Sequence, residues 1–256
     1  MAARLICTLA LLLWAARAGA FDQTHAAWNA LLSRHVAVMH GGEASRLSYA
    51  GMAADKARLD DYLDSLSAVK EAEFAGWSRA EQMAFLINAY NAFTVAKVLS
   101  RYPGLASIRD FGRVFGNPFR DEFFLLLGHR ASLDWIEQEN LRPRYREPRV
   151  HFALNCASVG CPMLREEAYL AAKLDGQLAS QEARFLADRS RNRVRDARLE
   201  VSRIFDWYGK DFAPLERYFA GRADALSALP AERDAIRAGR MPVSFLEYDW
   251  SLNDAK

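Results

Sequence analysis

The amino-acid sequence predicts a helix-rich α+β fold, and three features support that prediction. Residues 79–102 form one long segment that is apolar almost all round, as expected of a buried central helix. Several other stretches repeat apolar residues with helical spacing, whereas short apolar runs between turn residues predict a small, mainly antiparallel sheet packed on the central helix. With 256 residues, 51% of them hydrophobic, the chain can bury one large core.

The first twenty residues have the pattern of a secretory signal peptide. Arg4 precedes an apolar run from Leu5 to Ala16, and Ala18-Gly19-Ala20 supplies the small residues of a cleavage site. The run is shorter than the roughly 20 residues of a membrane span, and no later stretch is apolar enough to cross a membrane. We therefore expect cleavage near Ala20, export to the periplasm or the medium, and a single domain over residues 21–256.

Charge and cysteine content narrow the classes of partner. The formal net charge of +2 falls to zero when Arg4 and Arg17 leave with the signal peptide, so nothing in the charge balance favours nucleic acid or an anionic membrane. Cys7 leaves as well, and Cys156 and Cys161 are then the two cysteines of the mature chain. In an oxidising compartment they form either one disulfide or a reactive thiol with a companion.

The N-terminal part is predicted to be helical. Apolar residues at helical spacing run through 22–40 and stop at Gly41-Gly42, a short extended piece covers 47–49, and a second apolar stripe covers 59–66. The histidines in this part have no accompanying cluster of cysteines or carboxylates with metal-ligand spacing, so we read them as ordinary helix residues. We expect no metal and no cofactor.

The central helix starts at a capping box, with Ser78 as N-cap and Glu81 reaching back to it. Asn88 and Asn91 lie in its apolar middle, where each amide needs hydrogen-bond partners or costs about 1–3 kcal/mol. Glu81 and Asn88 are seven residues apart and share nearly one face, with Asn91 beside it. Glu81 is therefore either a capping residue only or the start of a polar strip that faces the functional site.

The remaining helices and strands are predicted from the spacing of apolar residues and from the turn-forming residues between them. We predict a strand over 122–127, a tight turn at 128–130, a helix from Ser132 to about Leu141, a helix over 164–188, a hairpin over 192–202, helices over 215–220 and 231–238, and a terminal strand over 243–248. Within the helix that starts at Ser132, Asp134 and Glu137 lie one turn apart. Each is either a first-turn charge or part of the site.

The reactive side chains are concentrated between His151 and Pro162, a segment that contains a histidine, an amide, a hydroxyl and both remaining cysteines. Its first half reads as a buried strand and its second as a turn. A cysteine at such a junction can expose its sulfur, so Cys156 is a candidate nucleophile with His151 as base and Glu81 as the group orienting the imidazole. In a regular strand, however, His151 and Cys156 point to opposite faces, about 16 Å apart along the chain.

Several blocks together resemble the DUF547 family of uncharacterised domains. They are Ala84-Phe-Leu-Ile-Asn-Ala-Tyr-Asn91, Ser132-Leu-Asp-Trp-Ile-Glu137, His151-Phe-Ala-Leu-Asn-Cys-Ala-Ser-Val-Gly-Cys-Pro162, and Phe205-Asp-Trp-Tyr208 with Asp211-Phe212. The resemblance covers roughly residues 75–212 and implies the extent of the domain core but no established activity. A papain-like or transglutaminase-like arrangement is the nearest analogy, although the order of the polar residues along the chain differs from that of papain.

Three functions remain open from the residues alone. The first is a cysteine hydrolase or acyl transferase acting on a peptide- or amide-like substrate. The second is a binding domain for a small molecule or peptide, in which Asn88, Asn91, His151 and Ser158 supply hydrogen bonds. Asn155 and Cys161 are further candidate substrate-binding residues. The third is a structural or redox disulfide between Cys156 and Cys161, whose spacing differs from the C-x-x-C of thioredoxin-like proteins. The sequence does not specify the oligomeric state.

Overall fold

A computed structural model describes residues 20–112 and 116–255 of the chain. The predicted signal peptide lies almost entirely outside this described part. The α+β class is confirmed, because helices dominate and the strands form small, mainly antiparallel sheets. Within the described residues, no helix is both long enough and apolar enough to span a bilayer.

Four helices form the N-terminal part. They are α1 (Ala26–His35), α2 (Tyr49–Ala54), α3 (Lys56–Ala68) and α4 (Glu71–Ala75). The helix predicted over residues 22–40 ends at His35, since Val36–Met39 form strand β1. This strand pairs with β2 (Ala44–Leu47) in an antiparallel hairpin, and the β-branched Val36 and Val38 favour the extended conformation.

Helix α5 (Arg79–Leu99) is the predicted central helix, and its capping box is confirmed. Ser78 Oγ accepts a hydrogen bond from the Glu81 N–H at 3.3 Å, and Glu81 Oε2 accepts one from the Ser78 N–H at 2.7 Å. Every residue from Met83 to Val95 is buried. The helix therefore lies inside the larger of two hydrophobic clusters.

The middle of the chain contains one hairpin and three short helical pieces. Strand β3 (Phe124–Leu126) lies within the predicted strand. It pairs with β4 (His129–Ala131), which overlaps the predicted turn, and Phe124 stacks on Phe93 of α5 with ring centroids 3.8 Å apart. The helix predicted to end near Leu141 is a π-helical segment, Trp135–Leu141. It is followed by α6 (Arg142–Tyr145) and α7 (Val150–Ala153).

The C-terminal part contains the other helices and a three-stranded sheet. The helices are α8 (Leu174–Ala187), α9 (Ile204–Trp207), α10 (Leu215–Ala220), α11 (Ala223–Leu226) and α12 (Pro230–Arg237). The sheet has strand order β5 (Arg193–Arg195), β6 (Arg198–Val201) and β7 (Val243–Phe245). The predicted hairpin is β5–β6, while β6 and β7 are parallel. The described strands thus form three small sheets where the sequence predicts one.

Helix α8 begins later than the predicted residue 164. The chain just before it is held in an irregular conformation, because the Gln177 side chain donates to the Ala168 carbonyl and accepts from the Leu170 N–H, both at 2.9 Å. These bonds take backbone groups that a helix would use. The helical pattern of residues 164–173 is thus overridden by tertiary contacts.

The last ten described residues, 246–255, form a segment that we call the C-terminal strap. The strap crosses the turn that follows Cys156: Val159 N–H donates to the Ser251 carbonyl and Gly160 N–H to the Asp249 carbonyl, each at 2.8 Å. A Cβ at Gly160 would lie 3.0 Å from the Asp249 backbone, so only glycine fits this crossing without displacement. The strap therefore fixes the cysteine loop from its outer side.

Candidate functional site

The segment that carries His151 is a helical turn and not the predicted strand. In α7 the Leu154 N–H donates to the Val150 carbonyl at 3.1 Å, and the chain becomes extended only at Leu154. The alternation argument that separated His151 from Cys156 therefore does not apply. Phe152 belongs to the smaller hydrophobic cluster, whereas Ala153 belongs to the larger one, so the turn lies where the two clusters meet.

Asn91 explains why the chain changes direction after α7. Its Nδ2 donates to the Ala153 carbonyl at 2.9 Å, and its Oδ1 accepts the Asn155 N–H at 2.8 Å. One buried amide thus satisfies two peptide groups on either side of Leu154. Asn88 makes the same pair of bonds to the carbonyl and N–H of Tyr169, at 2.8 and 3.0 Å. Both asparagines, predicted as ligand-binding residues, hold neighbouring backbone in place.

Asn155 and Ser158 belong to the cysteine loop itself. Asn155 Nδ2 donates to the Pro162 carbonyl at 2.8 Å, and Asn155 Oδ1 accepts from the Ala157 N–H at 3.0 Å and from Asn253 of the strap at 3.2 Å. Ser158 is 1% exposed, and its hydroxyl has no hydrogen-bond partner among the described residues. The loop is therefore closed by the Asn155 amide, while Ser158 lies buried beneath the strap.

His151 lies between two carboxyl groups. Its Nε2 is 2.8 Å from Asp211 Oδ2, and its Nδ1 is 3.8 Å from Glu137 Oε1. Asp211 also accepts a bidentate pair from Arg142, with Nε–Oδ2 2.7 Å and Nη2–Oδ1 3.2 Å. Since the ionised Asp211 needs a donor, Nε2 carries the hydrogen and Nδ1 is the imidazole nitrogen left free for proton transfer.

The two carboxyl groups have opposite pKa shifts. The hydrogen bond from His151 and the guanidinium of Arg142 hold the pKa of Asp211 well below its ordinary value. Burial raises the pKa of Glu137, although His151 and the Tyr208 hydroxyl oppose part of that increase. Asp211 therefore stays ionised while Glu137 retains its proton to a higher pH than an exposed glutamate.

Tyr208 covers the imidazole. Its ring stacks on His151 with centroids 4.0 Å apart and planes at 28° to each other. The guanidinium carbon of Arg142 lies 4.9 Å from the centroid of the Tyr208 ring, in a cation–π contact. The His151 side chain is only 2% exposed as a result. The imidazole is therefore fixed by stacking as well as by hydrogen bonding.

Cys156 and Cys161 form a disulfide, so neither sulfur is a free thiol in this structure. Tyr248 of the strap places its hydroxyl between the two sulfurs, 3.2 Å from Cys156 Sγ and 3.1 Å from Cys161 Sγ. The Cys156 N–H also donates to Cys161 Sγ at 2.8 Å. Burial raises the pKa of Tyr248, so its hydroxyl is a donor over the neutral range.

A cavity of about 510 Å³ joins these groups. Glu137, His151, Cys156 and Cys161 all line it, and so do six aromatic residues: Tyr90, Phe119, Trp207, Tyr208, Tyr248 and Trp250. Its volume is within the range of small-molecule sites, and its composition, mostly apolar with a few polar groups, is typical of them. No group of three His, Cys, Asp or Glu side chains in the described part of the chain is arranged to hold a metal ion.

Glu81 does not take part in this cluster. Its carboxylate caps the start of α5, where the free N–H groups of the first helical turn attract it, and the imidazole contacts Asp211 and Glu137 instead. The sequence indicates Glu137 as a possible site residue, because it lies one helical turn from Asp134, and Asp211 is part of the Asp211-Phe212 block. Tyr248 carried no signal in the sequence, because only the path of the strap brings it to the sulfurs.

The fold and the site define a helix-rich α+β domain whose cavity contains a disulfide and an imidazole flanked by two carboxyl groups. Residues 74–186 match the model of the DUF547 family, described as "Protein of unknown function, DUF547", in agreement with the resemblance that the sequence blocks predict. Comparisons with curated proteins and with solved structures found no match. Asp211, Tyr208 and Tyr248 lie beyond the matched residues, so the site is completed by the C-terminal part of the chain.

Proposed function

We propose that the cavity is the active site of a cysteine-dependent hydrolase or acyl transferase acting on a peptide- or amide-like substrate. The observation that supports this most is that Cys156 and a carboxylate-oriented histidine, His151, line one cavity. A nucleophile, a base and a group that orients the base are the parts that acyl transfer requires. In the disulfide form the nucleophile is masked, so the active form is the reduced protein.

Each group then has a distinct task. His151 Nδ1 takes the proton of the Cys156 thiol. Cys156 Sγ attacks the substrate carbonyl carbon, forming a carbon–sulfur bond as the bond to the leaving amine breaks. The protonated Glu137 carboxyl donates a proton to that amine, which its raised pKa favours. Glu137 regains its proton from His151 Nδ1. Water or an acceptor amine then attacks the thioester and loses its proton to His151 Nδ1. The carbon–sulfur bond breaks and the proton passes to Cys156 Sγ, while Asp211 holds Nε2–H throughout.

The signal-peptide pattern of residues 1–20 supports export to the periplasm or the medium as part of this proposal. An oxidising compartment stabilises the disulfide form. The enzyme would then act only where a thiol reductant reaches the cavity.

Acylation by p-nitrophenyl acetate tests the proposal directly. The protein is reduced with dithiothreitol, freed of reductant and mixed with the ester, and both p-nitrophenolate release and the acetylated residue are measured. We expect a burst and one acetyl group on Cys156, none in Cys156→Ser, and slower acylation in His151→Gln. Cys161→Ser is the matched control, because it keeps the nucleophile and removes the other sulfur.

Two results would count against an enzyme. One is acetylation of Cys156 at the same rate in His151→Gln. The other is a pH profile of acylation centred near the free-cysteine pKa of about 8.5, because a thiol activated by histidine reacts well below that pH. Circular dichroism of each variant shows whether a lost rate reflects lost fold.

A non-catalytic binding domain is the second candidate, and the closed disulfide favours it. The Cys156–Cys161 bond would then be structural, and the cavity would hold a small molecule or peptide without turnover. For this function, reduction changes neither ligand affinity nor acylation above the level of Cys156→Ser. Calorimetric titration of small amide ligands into the oxidised and reduced protein distinguishes the two candidates.

A further inference from the structure

We infer that the disulfide is a reversible modification site that opens in one direction, with a low-molecular-weight thiol attaching to Cys156 and Cys161 leaving as the thiolate. The exchange chemistry does not depend on the proposed hydrolysis. Only its consequence, the release of a nucleophile in the cavity, rests on the proposed function.

Accessibility separates the two sulfurs. Cys161 is 3% exposed, whereas Cys156 is partly exposed, and both line the cavity. An attacking thiolate must approach one sulfur of the bond, and access decides which sulfur it reaches. Cys156 is therefore the sulfur open to attack.

Hydrogen bonding separates them further. Cys161 Sγ accepts the Cys156 N–H at 2.8 Å and lies 3.1 Å from the Tyr248 hydroxyl. Tyr248 also lies 3.2 Å from Cys156 Sγ, but the backbone donor is specific to Cys161. Because donors stabilise a thiolate more than a neutral sulfur, Cys161 is the better leaving group.

The exchange balances in atoms and electrons. A small thiolate forms a sulfur–sulfur bond to Cys156 as the Cys156–Cys161 bond breaks, and the electron pair of that bond goes to Cys161. A second small thiolate attacks the attached thiol, releases it as the oxidised small disulfide and leaves Cys156 as a thiolate. The small thiol is oxidised and the protein disulfide is reduced.

The strap makes this arrangement specific to the folded chain. Tyr248 reaches the sulfurs because strap residues 249 and 251 pair with the cysteine loop, as described above. Asn253 is also bound at its Oδ1 by the Tyr49 hydroxyl at 2.9 Å, and Asp254 Oδ2 by the Tyr102 hydroxyl at 3.1 Å. These anchors lie on distant elements, so unfolding or detaching the strap removes the Tyr248 donor.

Peptide mapping after a brief thiol pulse tests the direction. The oxidised protein is exposed to 2-mercaptoethanol for increasing times and quenched in acid, and its free thiols are blocked with N-ethylmaleimide. We expect mercaptoethanol on Cys156 and N-ethylmaleimide on Cys161 at early times. The reverse assignment, or equal labelling of both, would overturn the inference, as would a polyethylene-glycol thiol too large for the cavity that reacts at the same rate.

Tyr248→Phe tests the donor. Removal of its hydroxyl should slow opening by about threefold to tenfold, the effect of one hydrogen bond to a charging sulfur. Tyr102→Phe is the matched control, since it removes a hydroxyl that ties the same strap but lies away from the sulfurs, and it should keep the wild-type rate. Equal slowing in both variants would show that strap attachment, and not the hydroxyl, controls opening. These readouts are masses and do not require hydrolysis, so either proposal can fail alone.

Discussion

Replacing Asn91 with alanine gives the sharpest test of how the central helix positions the cysteine loop. The substitution leaves the Ala153 carbonyl and the Asn155 N–H without their partner in a site where Asn91 is 2% exposed. An unsatisfied buried group costs about 1–3 kcal/mol, so the two together should lower the free energy of unfolding by about 2–6 kcal/mol. That is a large share of the stability of an ordinary domain.

Asn88→Ala is the matched control, because Asn88 lies one turn earlier on α5, is fully buried and makes the same two bonds to Tyr169. Urea unfolding followed by circular dichroism should give similar losses for both variants. Alkylation of the reduced, folded protein should differ, with only Asn91→Ala changing the rate at Cys156. A loss below about 1 kcal/mol in Asn91→Ala, the net value of one ordinary hydrogen bond, would refute the reasoning, as would equal alkylation changes in both variants.

Three further groups have expected effects of defined sign. Asp211 contributes stability above its ordinary pKa of 3.8 that is lost as pH falls through its lower folded pKa, so Asp211→Asn should flatten the acid side of the unfolding free energy measured in urea. Glu137 has the opposite sign: wild-type stability should fall as pH rises from 4.5 through its raised folded pKa, and Glu137→Gln should remove that fall in the same assay. Replacing both cysteines with serine should lower the free energy of unfolding by about 2 kcal/mol in calorimetry, since the loop they close is short. Glu81→Ala should lower the melting temperature yet leave acylation of Cys156 unchanged, and a loss of acylation would return Glu81 to the site.

The sequence correctly predicts those helices and strands that are stabilised by residues close together in the chain. The capping box at Ser78 and Glu81, the hairpin at residues 193–201 and the helix Leu215–Ala220 all depend on residues a few positions apart. Helix α7, by contrast, is predicted from the sequence to be a strand and is a helical turn. Asn91 binds the carbonyl of Ala153 and the N–H of Asn155 from 62 and 64 residues away. The spacing of apolar residues along the sequence cannot predict a hydrogen bond between residues so far apart.

The same distinction holds for the site. His151, Cys156 and Cys161 could be found from the sequence because they lie close together in it, and the structure places all three on one cavity. The sequence predicts Glu81 on the central helix as the group that orients His151, whereas the contacts are made by Asp211 and Glu137. Their roles depend on burial and on Arg142, which residue type alone does not report.

The opposite pKa shifts of Asp211 and Glu137 make the two sides of the His151 imidazole chemically different. Asp211 and Arg142 line a second cavity of about 520 Å³, whereas Glu137 lines the one that contains the disulfide. The ionised, arginine-bound carboxylate therefore holds the imidazole at Nε2, and the carboxyl group that retains its proton lines the cavity that the two sulfurs also line. Since Nε2–H is committed to Asp211, a proton moving through His151 must use Nδ1, the nitrogen nearer Glu137. Paired carboxyl groups with separated pKa values divide the roles of orienting group and proton donor in this way. If the proposed function holds, proton transfer stays within the cavity that Cys156 lines.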